Sequence, residues 1–442
     1  RTLDGCSNTI CMRWPRQGAI PAVCSMKVCV VGSGGREHAF VESLSMDSEV
    51  VVSPGSAGIR GSTSAPVTDI DADLYVIGPE VPLVNGLADE IRSFGGCVFG
   101  PGKEGARLEA SKSWMKDLVN AAGVPTAGYE SFGQSQIEEA IEFLTTYGPP
   151  YVIKTDGLAA GKGVLVTNSY NEAVSDIKEK LSGAAFGDAG KQIVIEEGLS
   201  GPELSLFAFC DGQKAVLIPT SAQDHKRLLD DNRGPNTGGM GCYSPMPSMS
   251  QADLEGLMDL AVHPTIEELK NRSIDYRGVL FAGFIMTTDG PKLLEYNVRF
   301  GDPEAQVILP RLENSLSETL LQVAQGNLQN QPTVSSDAMV TVVLASEGYP
   351  LSPRMGDPIQ GLDEARAIDG VTVFCAGVKS NSQGELLTNG GRVLNICGRA
   401  ATVEAARELA YQAVDLIFWP GMQHRADIGA SIETEPNQEV IK

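Results

Sequence analysis

The sequence predicts a mixed α/β and α+β fold. An N-terminal doubly wound parallel sheet, shortened relative to a full one, precedes a central α+β region with a lid-like unit and a small C-terminal α+β domain. Three observations lead there. Short, wholly apolar strands alternate with helical periods between Met26 and Phe94, the pattern of a parallel sheet covered on both faces. Two strands flank a glycine-rich loop at 151–166, with helical stretches on either side. A polar stretch at 327–336 parts the last strands and helix from the rest.

Taken in order, 27–31 is an apolar strand, 32–35 a tight turn, and the text from His38 an amphipathic helix. Strands follow at 50–52 and 74–77, the latter running into GPEVPLV, then a helix at 87–94 and a break at 99–105. A helix at 111–122 ends at Gly123 and Pro125. Helices at 136–145 and 172–181 and strands at 151–154, 164–167, 192–196 and 204–210 make the lid-like unit. Residues 224–243 carry no apolar period, and so long a loop in a compact domain is usually functional. A helix at 251–270 and strands at 279–287 and 291–296 close the central region. Strands at 339–345, 371–378 and 392–397 and a helix at 403–417 form the C-terminal one.

Composition narrows the function. The 442 residues exceed what one core holds and suit two to four packed units. No apolar run approaches the roughly 18–20 residues of a spanning helix, so no membrane partner is expected. The formal charge of −22 repels nucleic acid and phosphorylated substrates alike. A phosphate site must then be built locally, from backbone amides and a few Lys or Arg. Nine scattered cysteines without a CxxC pair point to a reducing compartment and away from structural zinc.

Four strings carry chemistry. Gly32-Ser-Gly34-Gly-Arg36-Glu37 follows a strand and opens a helix, inviting a dinucleotide. Glu37 replaces the third fingerprint glycine, however, and the second strand ends in Ser53-Pro54 without an acid for a ribose, which leaves another phosphate ligand or plain turn geometry. In YVIKTDGLAAGKGVLV, Gly157 and Gly161 enclose only three residues, and Lys162 is followed by Gly163 and a β-branched strand. That is a hairpin with a glycine loop, not a Walker loop, yet Lys154 with loop amides suits a triphosphate. In LEYNVRFGDPEAQ, Glu295, Asn297 and Arg299 alternate onto one strand face, two hard oxygen donors and a cation. In QDHKRLLDDNRGPNTGGMG, Asp224, Lys226 and Arg227 stand beside glycines, a pattern a polar surface loop would equally give.

Together with GPEVPLV, AFGDAG and TNGGRVL, these strings resemble the ATP-grasp superfamily and, within it, the phosphoribosylamine–glycine ligase family. They stand in family order from Met26 to Ile432. The resemblance implies ATP as co-substrate, Mg²⁺ (or Mn²⁺) as metal, and ligation of glycine to 5-phosphoribosylamine through a glycyl phosphate. Another ATP-grasp carboxylate–amine ligase is the alternative. It implies Lys112, Lys154, Gly157, Gly161, Lys162 and Gly163 around the ATP phosphates, Glu196, Glu197 and Leu199 at the adenine, and Glu203 on the ribose. Glu295 and Asn297 would hold the metal, and Arg299, Asp302 and Asp224 would line the acyl-transfer centre. Gly34, Arg36, Glu37 and Arg392 would bind the ribosylamine. The domains expected are 26–109 (Rossmann-like), 110–330 (ATP-grasp, with a lid at 132–200) and 337–432, plus a tail at 433–442.

Residues 1–25, poor in acid, are either a transit segment or translated sequence upstream of a start at Met26. The location expected is cytoplasmic, or the plastid stroma in the first case, and the state expected is a monomer. The connection at 58–73 is too short for the strand-plus-helix unit of the family, which predicts a bare sheet face and a cost in stability.

Overall fold

The computed structural model describes residues 25–158, 163–182 and 192–430. At the N-terminus four parallel strands stand in the order Glu49–Pro54, Lys27–Gly32, Leu74–Ile77, Val98–Phe99. Alternation along the strands feeds two cores. Val28, Val30, Leu74 and Val76 join Phe40 and Val41 of helix Gly35–Leu44 and Leu320 of helix Leu316–Gln325. Cys29, Val31, Tyr75 and Ile77 join the other core. The face predicted to be bare is covered, although 55–73 holds only a 3₁₀ turn, Val67–Asp69. The segment lays Ile70 into that core, with Ala65, Val67 and Ala72 packed against it, and Ser62 forms a parallel bridge to Val52. An irregular segment can cover a face if its few apolar side chains fall on the right side.

The lid is an antiparallel sheet in the order Tyr129–Gly133, Gln192–Glu196, Tyr151–Thr155, Val164–Thr167. Helices Ile137–Tyr147 and Tyr170–Leu181 cover it, and Phe132, Leu144, Ile153, Ile177 and Ile195 give it its own core.

Eight strands form the main sheet: Gly290–Asn297, Arg277–Thr287, Glu203–Asp211, Ala215–Asp224, Gly241–Ser244, Ala338–Ala345, Arg392–Ala400, Val371–Cys375. The C-terminal strands continue the central sheet, and helix Val403–Val414 backs them. The two halves meet at the pairs Gln223 with Tyr243 and Asp224 with Cys242, and the backbone of His225 carries the seam on to Gly241 and Met240. Part of the expected loop at 224–243 is a hairpin, Arg227–Leu229 with Arg233–Asn236, turned by Asp231 and Asn232 at positive φ, which these side chains tolerate. No described helix is long and apolar enough to cross a membrane.

Candidate active site

The cleft lies between the lid and the main sheet. Strand Tyr151–Thr155 presents Lys154, whose ammonium is 2.9 Å from the Glu196 carboxylate on the neighbouring lid strand. Burial works to raise that carboxyl, but Lys154 and Lys116 hold it below the usual range. The hairpin mouth closes where Thr155 N–H donates to Gly163 O at 2.8 Å. Gly157 takes φ +148°, open to glycine alone without strain, and its carbonyl accepts from Lys112 Nζ at 3.2 Å. Asp156 fixes this end of the loop: its carboxylate accepts from Ser113 N–H at 3.1 Å, Ser113 Oγ at 2.6 Å and Ser111 Oγ at 3.2 Å, at the start of helix Lys112–Ala121. Gly161 and Lys162 lie outside the described residues.

Beyond Glu196 the chain passes Glu197, which accepts from Gly128 N–H and Lys292, to half-buried Leu199. Gly198 lies so close to Pro150 O that a Cβ there would be 2.4 Å away. Glu203 opens the next strand, 3.1 Å from Lys226 Nζ, which also faces Glu295 at 3.8 Å. Glu295 and Asn297 share one face near the end of strand Gly290–Asn297. Burial pushes the Glu295 carboxyl up, yet Lys226, Lys154, Lys112 and Arg299 together bring it below its ordinary value. Its side chain remains 40% exposed. Lysines 112, 154 and 226 therefore converge on the carboxylate expected to bind metal. Among the described residues no group of three or more His, Cys, Asp or Glu forms a metal cage. A part-exposed carboxylate with the buried Asn297 amide on the same strand face fits a cation whose shell is completed by phosphates and water.

The second half of the cleft is a network of arginines and carboxylates. Arg299 is 2.7 Å from Glu109 and 3.5 Å from Glu80. Arg36 donates to Glu37 Oε1 at 2.7 Å and to Phe300 O at 3.1 Å. Glu37 Oε2 accepts from Gly34 N–H at 2.6 Å, so the residue that replaces the third fingerprint glycine occupies the helix N-terminus itself. Gly78 makes room for it, since a Cβ there would lie 2.1 Å from Glu37 Oε1. Asp302 accepts from Gln306 at 2.9 Å and faces Arg392 at 3.6 Å. Burial raises its carboxyl, but Arg392 and Arg36 bring it below the usual range. Arg392 reaches in from the C-terminal strands and donates to Gly238 O and Asp302 O. Asp224, at the seam of the sheet, is pushed well above the carboxylate range, first by burial and then by Glu304.

Family models described as Phosphoribosylglycinamide synthetase match this chain in three parts: the N domain over 26–109, the ATP-grasp (A) domain over 110–305 and the C domain over 339–431. The chain belongs to the phosphoribosylglycinamide synthetase family. It is 42% identical over 425 residues to the phosphoribosylamine–glycine ligase of Streptomyces coelicolor, covering 92% of this chain and 99% of that one. The chloroplastic phosphoribosylamine–glycine ligase of Arabidopsis thaliana is 44% identical, covering 89% of this chain and 78% of that one. Among solved structures, the phosphoribosylamine–glycine ligase of Thermotoga maritima superposes with a TM-score of 0.79 at 36% identity, covering 91% of this chain and all of that one. The biotin carboxylase domain of the Hydrogenobacter thermophilus 2-oxoglutarate carboxylase, at 15% identity and TM-score 0.69, shares the fold. The family brings ATP use and dependence on a divalent metal.

For this family member, sequence reasoning found the cationic residues in the motifs and missed their buried partners. Glu80 belongs to GPEVPLV, Glu109 lies outside all of the motifs, and Lys116 follows Lys112 by one turn of the same helix. Glu304 belongs to RFGDPEAQ, and it is the buried neighbour that, after burial itself, raises Asp224. A charged residue placed on the apolar side of a predicted helix, as Lys116 is, was the available signal.

Proposed function

We infer that the protein ligates glycine to 5-phosphoribosylamine at the expense of ATP, giving glycinamide ribonucleotide, ADP and phosphate, in purine biosynthesis. One observation carries this reading: lysines 112, 154 and 226 gather around Glu295 in an open cleft, beside a second, arginine-rich compartment on the same chain.

Lys154 and Lys112, with Gly157 and Gly163 at the hairpin mouth, hold the triphosphate, and residues Glu196, Glu197 and Leu199 with Glu203 hold the nucleoside. Glu295 and Asn297 hold Mg²⁺ (or Mn²⁺), which when bound neutralises phosphate oxygens. A carboxylate of glycine oriented by Arg299 attacks the γ-phosphorus. The bond between that phosphorus and the β,γ-bridging oxygen breaks, and ADP leaves a glycyl phosphate behind. Arg36 and Arg392, with the Gly34 turn, position the ribosylamine in the second compartment, where Glu37 fixes the Arg36 guanidinium. The ribosylamine nitrogen attacks the acyl carbon, the carbon–oxygen bond to phosphate breaks, and the nitrogen loses a proton. Asp224, whose carboxyl burial and Glu304 raise above the carboxylate range, takes that proton in its ionised form, and Asp302 holds Arg392 beside the transfer centre. The chemistry requires that water be kept from the acyl phosphate while it exists. We place the protein in the cytoplasm, or the plastid stroma if 1–25 is a transit segment, working as a monomer without nucleic acid.

The test is ADP release from the purified chain with ATP, Mg²⁺, glycine and phosphoribosylamine, leaving out one component at a time. Release should require all four. ADP formation unchanged without glycine would remove the glycine ligase reading.

A further inference from the structure

Lys116 has no role in the steps above. It lies on helix Lys112–Ala121 with no exposed surface. Its ammonium is 3.1 Å from Glu196 Oε2, donates to Thr126 Oγ1 at 2.7 Å and to Ala127 O at 3.5 Å, and lies over the Tyr129 ring. Thr126 Oγ1 passes the connection to Leu293 O, on the strand that carries Glu295. Lys154 reaches the same Glu196 carboxylate at 2.9 Å and keeps 11% of its side chain exposed.

A buried carboxylate facing one lysine makes a neutral pair, with no net charge left for an anion. Two lysines around one carboxylate leave a single positive charge, and Lys154 alone of the two opens to the cleft. We propose that Lys116 is a positioning residue for the nucleotide: it balances Glu196 from within, so that Lys154 meets the ATP phosphates with its charge uncancelled. Burial lowers the Lys116 ammonium to about 8 against the pull of Glu196, which keeps it charged at neutral pH. The inference rests on the ATP site proposed above.

Calorimetric titration of the full chain with Mg²⁺·ADP reads this directly. Lys116→Met should weaken binding about ten- to a hundredfold, the scale of one charge-assisted contact. The Michaelis constant for glycine should stay unchanged. Lys116→Arg, which keeps the cation, should stay within about fivefold of wild type. A packing role alone would not rank the two variants by charge. Lys116→Met binding as tightly as wild type, or Lys116→Arg binding no better than Lys116→Met, overturns the inference. Should Lys116→Met not fold, Lys116→Gln, which removes the charge but keeps a donor for Thr126, takes its place with the same expected loss. A wild-type chain that binds no nucleotide would instead sink the ATP site itself.

Discussion

Glu295 and Asn297 turn the same way because side chains two apart on a strand share a face, and Glu295 keeps 40% of its side chain exposed. Glu295→Ala should therefore abolish metal-dependent ADP formation while the thermal unfolding temperature holds; near-normal turnover would remove it as a ligand. Asp224 behaves differently. A carboxyl whose folded pKa is raised above its ordinary 3.8 favours folding only while protonated, and that contribution is lost as pH rises from 3.8 through the folded value. At neutral pH Asp224 thus opposes folding, and Asp224→Asn should raise the melting temperature by about 1–3 °C. The same change should lower kcat about 100-fold or more, as expected for a lost proton acceptor. A melting temperature that falls at pH 7 would show that Asp224 is stabilising. At this scale Lys154 and Glu295 were legible, since each sits in a string whose local pattern implies a cation or an oxygen donor, whereas Arg299, expected on the same strand face as Glu295, falls past the end of strand Gly290–Asn297 and turns to Glu109 and Glu80. Such partners were not legible. Glu109 is 190 residues from Arg299, and only the fold brings such a pair together.

Helix Lys112–Ala121 starts at Ser111, whose hydroxyl accepts from Trp114 N–H, and Asp156 adds a carboxylate from the lid at the same end. A negative group there satisfies free amides and meets the positive end of the helix dipole. Asp156→Ala should cost about 1 kcal/mol of stability. It should also raise the Michaelis constant for ATP about tenfold, because the start of the glycine hairpin loses its anchor. Steady-state kinetics beside chemical denaturation separates the two effects, and an unchanged ATP constant would limit Asp156 to capping. Strands Val164–Thr167 and Gln192–Glu196 could be read to the residue from their β-branched runs. Strand Ala215–Asp224 escaped, because Pro219 cannot donate to a ladder and its register slips between Leu217 and Ser221. Helix Lys103–Ala110 escaped too, since KEGARLEA has few apolar residues and a central glycine.

Over the whole molecule, the charge of −22 sets a field that opposes the arrival of ATP. Salt should therefore help. Raising ionic strength from about 10 to 150 mM shortens the Debye length to about 8 Å and should increase kcat/KM for ATP about two- to threefold. A decrease would mean that the local lysines dominate encounter. The parallel sheet and the lid were legible as architecture, whereas the union of the central and C-terminal strands was not. A short ladder at 223–225 makes that union, and a pattern of apolar alternation within each strand carries no information about which strand lies next.

That seam has a mechanical meaning. Asp224 lies in it, and Arg392 hangs from the far half while Glu295 belongs to the near one. A small rotation of one half against the other would change the spacing of proton acceptor, guanidinium and metal ligand together.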